Sequence, residues 1–402
     1  MEDERRIIIS EPVAMNGGSG SYSYAQNSSY QKGVAAAAMD IIKEALPTTV
    51  DLNHLSSSSP NHIIRIADFG CSTGLTSVQA IETIIQCLLD LIKPIKHPQF
   101  RTLEFQAIFN DLPTNDFNTL FTNLLPERQR YYAMAAPGSF HGRLLPTASL
   151  HFAYSSCALH WLSHVPLEIL DKSSRAWNGE RIYHVNSPAE VVGAYSSQFR
   201  RDMEAFLSAR AEEMVSEGLI FMVVPGVPDL VHDSQTTVGS EFELLGSCLV
   251  DMANEGIISK AKVESFNLPL YFPSEKELKQ VIGRNKFFHI ERIQTLSHPK
   301  LHVAFSTPES RSLCLRAAFE GLLLHHFGDE LIIDDLFHRY SLKVAKSPFF
   351  LKPESHESMT FFVVLKRKNP EENMQCFHQY VLYVVSWWEK CLGQIHFYGG
   401  EN

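Results

Sequence analysis

An acid followed by a glycine-bracketed turn, Asp68-Phe69-Gly70-Cys71-Ser72-Thr73-Gly74, is the stretch of this chain best suited to chemistry. It follows Ile63-Ile64-Arg65-Ile66-Ala67, whose β-branched, apolar character is that of a strand buried on both faces, and Asp68 sits where that strand would emerge. From Ser77 to Leu89 apolar residues recur at helical spacing, so the turn leads from strand to helix, as nucleotide cradles do. No Lys-Ser or Lys-Thr pair follows Gly74, which removes the ammonium that grips a β/γ-phosphate. The spacing Gly70-x-x-x-Gly74 also departs from the dinucleotide fingerprint G-x-G-x-x-G. An acid at a strand end, beside a turn that admits close backbone approach, suits a cationic, phosphate-free nucleoside such as S-adenosylmethionine. The same turn also serves simply to pack a helix on a sheet, so other segments must decide.

Three of them carry further chemistry. Phe105 to Phe109 reads as a second strand ending in Asn110-Asp111-Leu112-Pro113, and an acid there commonly accepts hydrogen bonds from a ribose diol; a helix N-cap or Asx-turn is the competing role for Asp111, while Asp116 and Asn118 read as turn residues. Pro137-Gly138-Ser139-Phe140 is a loop whose aromatic suits stacking on an adenine or ordinary packing. Leu150 to Ser156 is a strand followed by Cys157-Ala158-Leu159-His160-Trp161-Leu162, which sets an imidazole and an indole N–H side by side. A buried Trp and a satisfied core His would look the same. Upstream, Met15 to Gln31 concentrates Gly, hydroxyl and amide residues with Tyr22, Tyr24 and Tyr30, the composition of either a flexible leader or an ordered lid.

The elements that must position these residues follow from patterning. Helical propensity is high from Gln31 to Leu46, and Ser56 to Pro60 is a surface linker. A helix from Ser197 to Glu217 precedes the strand Gly218 to Val224, mostly helical chain runs from Asp229 to Pro273, and strands at Phe287–Thr295 and Thr360–Leu365 flank a helix from Glu309 to Phe327. The recurrence of strand, helix, strand predicts a parallel-dominated α/β sheet with a helical cap inserted between its fifth and sixth strands.

Composition narrows the class of partner and compartment. The chain has 402 residues, 45% of them hydrophobic, enough for one extended domain with a cap or for two modest ones. A formal charge of -10 with no offsetting Lys/Arg stripe argues against nucleic acid. The seven cysteines, Cys71, Cys87, Cys157, Cys248, Cys314, Cys376 and Cys391, form no C-x-x-C pair and fit a reducing compartment. Ile7-Ile8-Ile9 is too short for a signal peptide, and no run reaches the about 18 apolar residues of a membrane span, so a cytoplasmic protein with no membrane partner is expected.

In combination these segments resemble the plant SABATH methyltransferases, which esterify small carboxylic acids or N-methylate xanthines using S-adenosylmethionine. The likeness rests on Met15-Asn16-Gly17-Gly18, Ser23-Tyr24-Ala25-Gln26-Asn27-Ser28, Ala67 to Gly74, Asn110 to Asn118, Pro137 to Phe140, His160-Trp161-Leu162-Ser163 and Ser265-Phe266-Asn267, in the family's order over residues 11 to 368. It implies a Rossmann-like methyltransferase sheet with an inserted helical cap. The expected divisions are 1–60 lid and helix, 61–228 cofactor core, 229–285 cap, 286–368 final strands with the second part of the cap, and 369–402 an atypical tail.

Carried over residue by residue, the resemblance implies cofactor contacts from Tyr24, Asn27, Ser28, Asp68, Gly70, Cys71, Thr76, Asp111, Leu112, Ser139, Phe140 and Cys157. It implies a carboxylate clamp of Gln31 and Trp161, with His160 beside it leaning toward a polar substrate such as loganic acid. Phe242, Leu245 and Phe349 would close the acyl pocket, whose apolar neighbours include Leu244 and Met252. An all-oxygen set of Asn178, Glu264, the Phe266 carbonyl and Asn267 would suit Mg²⁺, and a homodimer is implied. Two departures stand out: Gly74-Leu75-Thr76 replaces the family's Gly-Pro-Asn, exchanging an amide for a shorter hydroxyl, and the chain runs past Lys368 through an aromatic segment to Asn402. The expected function is methyl-ester formation on a small-molecule acid. A xanthine N-methyltransferase, a catalytically inactive cofactor-binding homologue and a nicotinamide oxidoreductase are the alternatives; Gln31 favours acids, and the missing dinucleotide fingerprint disfavours the last.

Overall fold

A computed structural model describes residues 13–57, 62–95, 103–124, 130–229, 236–296, 307–351 and 359–369. The tail beyond residue 369 and most of the expected linker before Pro60 lie outside the described residues.

Seven strands form one sheet in the order β3-β2-β1-β4-β5-β7-β6. They are β1 (Ile63–Phe69), β2 (Glu104–Asp111), β3 (Tyr132–Pro137), β4 (Leu150–Ser156), β5 (Met214–Gly226), β6 (Phe288–Thr295) and β7 (Met359–Arg367). The first five run parallel, and β7 lies antiparallel between β5 and β6. Alternation along β1 and its neighbours sends Ile64 and Ile66 to one face, under helices α2 (Ser29–Thr49) and α4 (Leu75–Ile92), and Ala67 and Phe69 to the other. That second face is covered by α6 (Ala189–Glu213) and α9 (Glu275–Arg284). With both faces covered, the central strands have no polar side to show, which is why they read as near-continuous apolar runs.

The edge strand β3 was not legible as a strand: its Tyr-Ala-Met-Ala-Ala-Pro run sets exposed Tyr132 and Met134 among half-buried alanines and has no β-branched residue. The expected helix 197–217 instead spans Ala189–Glu213, and the following strand starts at Met214. Pro188 at the N-cap sets the earlier start, since proline tolerates a helix entry but not its interior. Helix α4 has a mean hydropathy of 1.4 over its 18 residues, long and apolar enough by composition to cross a bilayer, which the sequence reading overlooked. Ala80, Ile81, Ile84, Ile85 and Leu88 place its apolar stripe against the sheet.

A third apolar cluster makes the cap. It joins α7 (Thr237–Asn254) and α8 (Lys260–Ser265), which lie between β5 and β6, to α10 (Pro308–Phe327) and α11 (Glu330–Lys346), which lie between β6 and β7. The cap is therefore assembled from two instalments, and α9, which falls within the expected cap, packs Leu278, Val281 and Ile282 on the core. Residues 15–27 form an ordered strap, the lid alternative of the sequence reading. Gly18 N–H donates to Asp116 Oδ2 of the core at 2.7 Å, Asn16 N–H donates to the Ala317 carbonyl of the cap at 3.1 Å, and the Asn16 amide bonds Glu320. Asp116 is thus more than a turn residue, for it also caps the short helix α5 (Phe117–Thr122) by accepting from Thr119 N–H.

The glycine turn after β1 works only as glycine. Gly70 has φ 88°, and a Cβ built there would stand 2.3 Å from Ala158 Cβ, where the turn after β4 closes in. Gly70→Ala should destabilise by at least about 2 kcal/mol, whereas Gly20→Ala, with nothing near its missing Cβ, should stay within about 0.5 kcal/mol. Urea midpoints at unchanged m-value would measure both, and equal small costs would contradict the close approach.

Candidate active site

The carboxyl ends of β1, β2 and β4 converge beneath the cap around a cavity of about 330 Å³. Gly70, Cys71, Ser72 and Thr76 from the first turn, Asp111 and Leu112 from the end of β2, Ser139 and Phe140 from the loop after β3, and Cys157 after β4 line it, with Tyr24 of the strap. On the remaining side stand Gln31 of α2, His160 and Trp161, and cap residues including Phe242 and Phe319. Expected cofactor and clamp residues from six separate segments thus share one space.

Backbone donors shape the floor. Asn110 O accepts from both Gly70 N–H and Cys71 N–H at 2.9 Å, fastening the turn to β2. The carboxylate of Asp111 accepts from Ser72 N–H at 2.7 Å and from Leu112 N–H at 2.8 Å, so it is held by the neighbouring turn while lining the cavity. Burial pushes its pKa up, and those two N–H groups pull it down. Ser72 (φ 47°) and Cys157 (φ 52°) both adopt left-handed backbone at the cavity wall, where non-glycine residues cost of order 1–3 kcal/mol each.

The Phe140 loop has a support that the sequence reading missed. Arg210 and Glu213 of α6 form a wholly buried ion pair at 2.7 Å. Arg210 donates to the carbonyls of Phe140 and Gly142, both at 2.9 Å, and its guanidinium lies 4.0 Å over the Phe69 ring, while Glu213 accepts from Leu144 and Leu145 N–H. Every charge is met by a partner, the condition under which a buried pair is tolerated. An Arg and a Glu at i,i+3 on a helix are ordinarily a solvated pair, and their own sequence neighbourhood does not mark this face as buried.

The His160-Trp161 segment is fixed from both sides. Leu162 N–H donates to Pro269 O, and Tyr271 N–H to His160 O, each at 2.8 Å, and Ser163 is bound through its backbone and hydroxyl to Asp202 of α6. The Trp161 ring tilts on Phe319 at 5.6 Å and His160 on Phe272 at 5.0 Å. Burial drives the His160 imidazole down to about 3, so it is neutral at physiological pH and acts as a hydrogen-bonding group, not a proton store. Gln31 Oε1, Ser72 Oγ and His160 Nδ1 are buried with no hydrogen-bond partner among the described residues, and all three residues line the cavity. Buried polar atoms left open at one cavity wall are the mark of a ligand site.

Several of the expected residues stand apart from the cavity lining. Asn27 and Ser28 do not line the cavity: the Asn27 amide donates to Ser21 and Ser23 carbonyls and so folds the strap itself. Asp68 also lies off the lining, buried beneath the turn. Phe242 lines the pocket, but Leu245 and Met252 turn into the cap's own core, and Phe350 lines the pocket in place of Phe349. The set proposed for Mg²⁺ does not fit a cation. Asn178 Nδ2 donates to Asn267 Oδ1 at 2.7 Å, Asn178 Oδ1 accepts from Ser187, and Glu264 is paired with Lys172, so the side-chain oxygens that would join the Phe266 carbonyl are already engaged and an ammonium stands beside the one carboxylate.

Those residues do fit a phosphate-free adenosyl cofactor. The floor presents a carboxylate and hydroxyls, and among the described lining residues the sole Lys or Arg is Arg311, on the cap side and paired with Glu241. A dinucleotide or triphosphate would find no cation beside the turn.

Comparison with known proteins agrees. The family described as SAM dependent carboxyl methyltransferase matches residues 10–368. A loganic acid O-methyltransferase of Catharanthus roseus is 43% identical over 89% of this chain and 95% of that one. A farnesoic acid carboxyl-O-methyltransferase of Arabidopsis thaliana is 37% identical over 89% of this chain and 100% of that one. A solved structure of loganic acid methyltransferase with SAH superposes with a TM-score of 0.84 at 43% identity, covering 89% of this chain and 99% of that one.

Burial pushes the Asp68 carboxyl up to about 7, against a lowering hydrogen bond from Ser77. A carboxyl raised in the fold stabilises below its unfolded value and loses that contribution as pH rises through about 7. Asp68→Asn removes the titration, so its Tm advantage over the parent should widen between about pH 5 and about pH 8. A gap that does not change with pH would refute this assignment.

Proposed function

Since the chain belongs to the S-adenosylmethionine-dependent carboxyl methyltransferases, we propose that its core floor holds the cofactor, that a small carboxylic acid lies under the cap, and that the product is the methyl ester. The observation that carries this reading is one cavity pairing a floor without phosphate-gripping cations with amide and indole donors at Gln31 and Trp161. When bound, S-adenosylmethionine supplies a sulfonium-activated methyl group for transfer to a carboxylate oxygen.

A carboxylic acid of pKa about 4 is ionised at neutral pH and needs no general base, which accords with the neutral His160. The chain's contribution is therefore alignment and exclusion of water, worth about 7–11 kcal/mol when well executed. Asp111 receives the ribose hydroxyls, Phe140 packs on the adenine, and Cys71, Leu112, Ser139 and Cys157 shape the walls around them. Trp161 donates from its indole to one carboxylate oxygen. Gln31 donates from Nε2, which a half-turn about its last side-chain torsion brings to the unpartnered position. Thr76 reaches the same floor with a hydroxyl. We further infer a cytosolic enzyme, consistent with scattered free cysteines, that acts as a homodimer on a free metabolite and uses neither nucleic acid nor membrane. The homodimer rests on family resemblance.

Transfer from labelled S-adenosylmethionine to a panel of aromatic, iridoid, jasmonate-like, indolic and terpenoid acids, with xanthines alongside, tests the reading directly. A base-labile labelled product from an acid is expected; label on a xanthine ring instead would overturn it. Trp161→Ala should lower turnover at least about 100-fold while cofactor affinity changes less than about threefold, measured by single-turnover kinetics and calorimetry. Equal losses in both would remove Trp161 from the clamp.

A further inference from the structure

The cap wall of the cavity is not uniformly apolar. Thr237 and Glu241 stand one helical turn apart on α7, so both face the same way, and both line the cavity beside Phe242. Facing them from α10 is Arg311, which also lines the cavity, pairs with Glu241, and carries the Phe350 ring 4.4 Å over its guanidinium. The pair is buried, with side chains 8% and 10% exposed. Thr237 is 7% exposed, and its hydroxyl has no hydrogen-bond partner among the described residues.

These groups are expensive to keep at a pocket wall unless something answers them. A buried ion pair is rarely a net gain over packed apolar residues, and an unpartnered buried hydroxyl is a further cost. The pair is neutral overall, so it offers no net attraction to a second charge on the ligand. It does offer acceptor lone pairs on Glu241 next to a Thr237 hydroxyl that both donates and accepts. The group that complements such a wall is itself both donor and acceptor, which is the property of an alcohol. Between this wall and the clamp stand aromatic rings: Phe242, next to Glu241 in sequence, meets Phe319 at 5.7 Å, and Phe319 meets Trp161 at 5.6 Å.

We propose that Thr237 and Glu241, braced by Arg311, form a hydroxyl-binding subsite, so that the acid methylated here carries hydroxyl groups remote from its carboxylate. The proposal rests on the methyl-ester reading above. A hydrocarbon acid would leave Glu241 and Thr237 stripped of water with nothing in exchange, and sites built for a hydroxyl discriminate strongly against analogues lacking it.

The test uses the full chain and matched pairs of acids that differ only in remote hydroxyls: loganic and 7-deoxyloganic acid, 12-hydroxyjasmonic and jasmonic acid, and a hydroxylated benzoate with benzoate. For the pair turned over best, kcat/KM should favour the hydroxylated member by about 10- to 100-fold. Thr237→Val, nearly isosteric, should lower that ratio about tenfold through KM more than kcat, Thr237→Ser should restore it, and Glu241→Gln should lower it as well. If Glu241→Gln fails to fold because Arg311 loses its partner, the Thr237 series alone decides. Preference for the deoxy member, or a ratio unmoved by Thr237→Val, overturns the subsite while leaving the methyl-ester reading intact. Absence of transfer to every acid, with cofactor bound, overturns both.

Discussion

The close approach of the turns after β1 and β4 is the constraint on which the rest of the site depends. A closed floor at the carboxyl ends of the central strands requires two turns to pass within contact distance without side chains between them. Gly70 meets the requirement on one side by lacking a Cβ and adopting left-handed backbone, and Ala158 meets it on the other by having almost no side chain. Once they are in contact, Asn110 can bind both N–H groups of the first turn, and Asp111 can reach across to Ser72. The acid that lines the cavity is thereby oriented by the turn that it serves.

Two buried ion pairs divide the labour above that floor. Arg210 and Glu213 have every partner supplied by the protein, five contacts to backbone or to each other, and their product is a rigid loop at Phe140. Glu241 and Arg311 stand at a cavity wall instead, beside a Thr237 hydroxyl with no partner among the described residues. The same chemistry is closed in one place and open in the other. Closed networks specify a shape; open ones specify a ligand.

Much of this was legible in the sequence because the relevant signals are local. A strand that ends in Asp68 before Gly70 and Gly74, or in Asn110-Asp111, carries its own topology, since ligands gather at the carboxyl ends of parallel strands. What escaped were matters of direction and reach. Helical period alone does not say which face of α7 meets the pocket, so Leu245 was expected there while Glu241 went unnoticed. A lone Arg and Glu three residues apart on α6 look solvated until a loop from 70 residues away is seen to cover them. Asn178 and Asn267, suitable in type for a cation, bind each other, which no spacing rule reveals.

The strap has a consequence for how the protein is made. Its first residues are tied by contacts of very different sequence separation: Gly18 to Asp116 spans 98 residues, and Asn16 to Glu320 spans 304. The strap is synthesised 304 residues before Glu320, its anchor on α10. At about 5–20 residues per second, roughly 15–60 s of translation separate the two, during which the strap has its core anchor at most. Full closure of the strap must therefore wait for α10 to emerge, and the long sequence separation of that contact adds loop-closure entropy to the step.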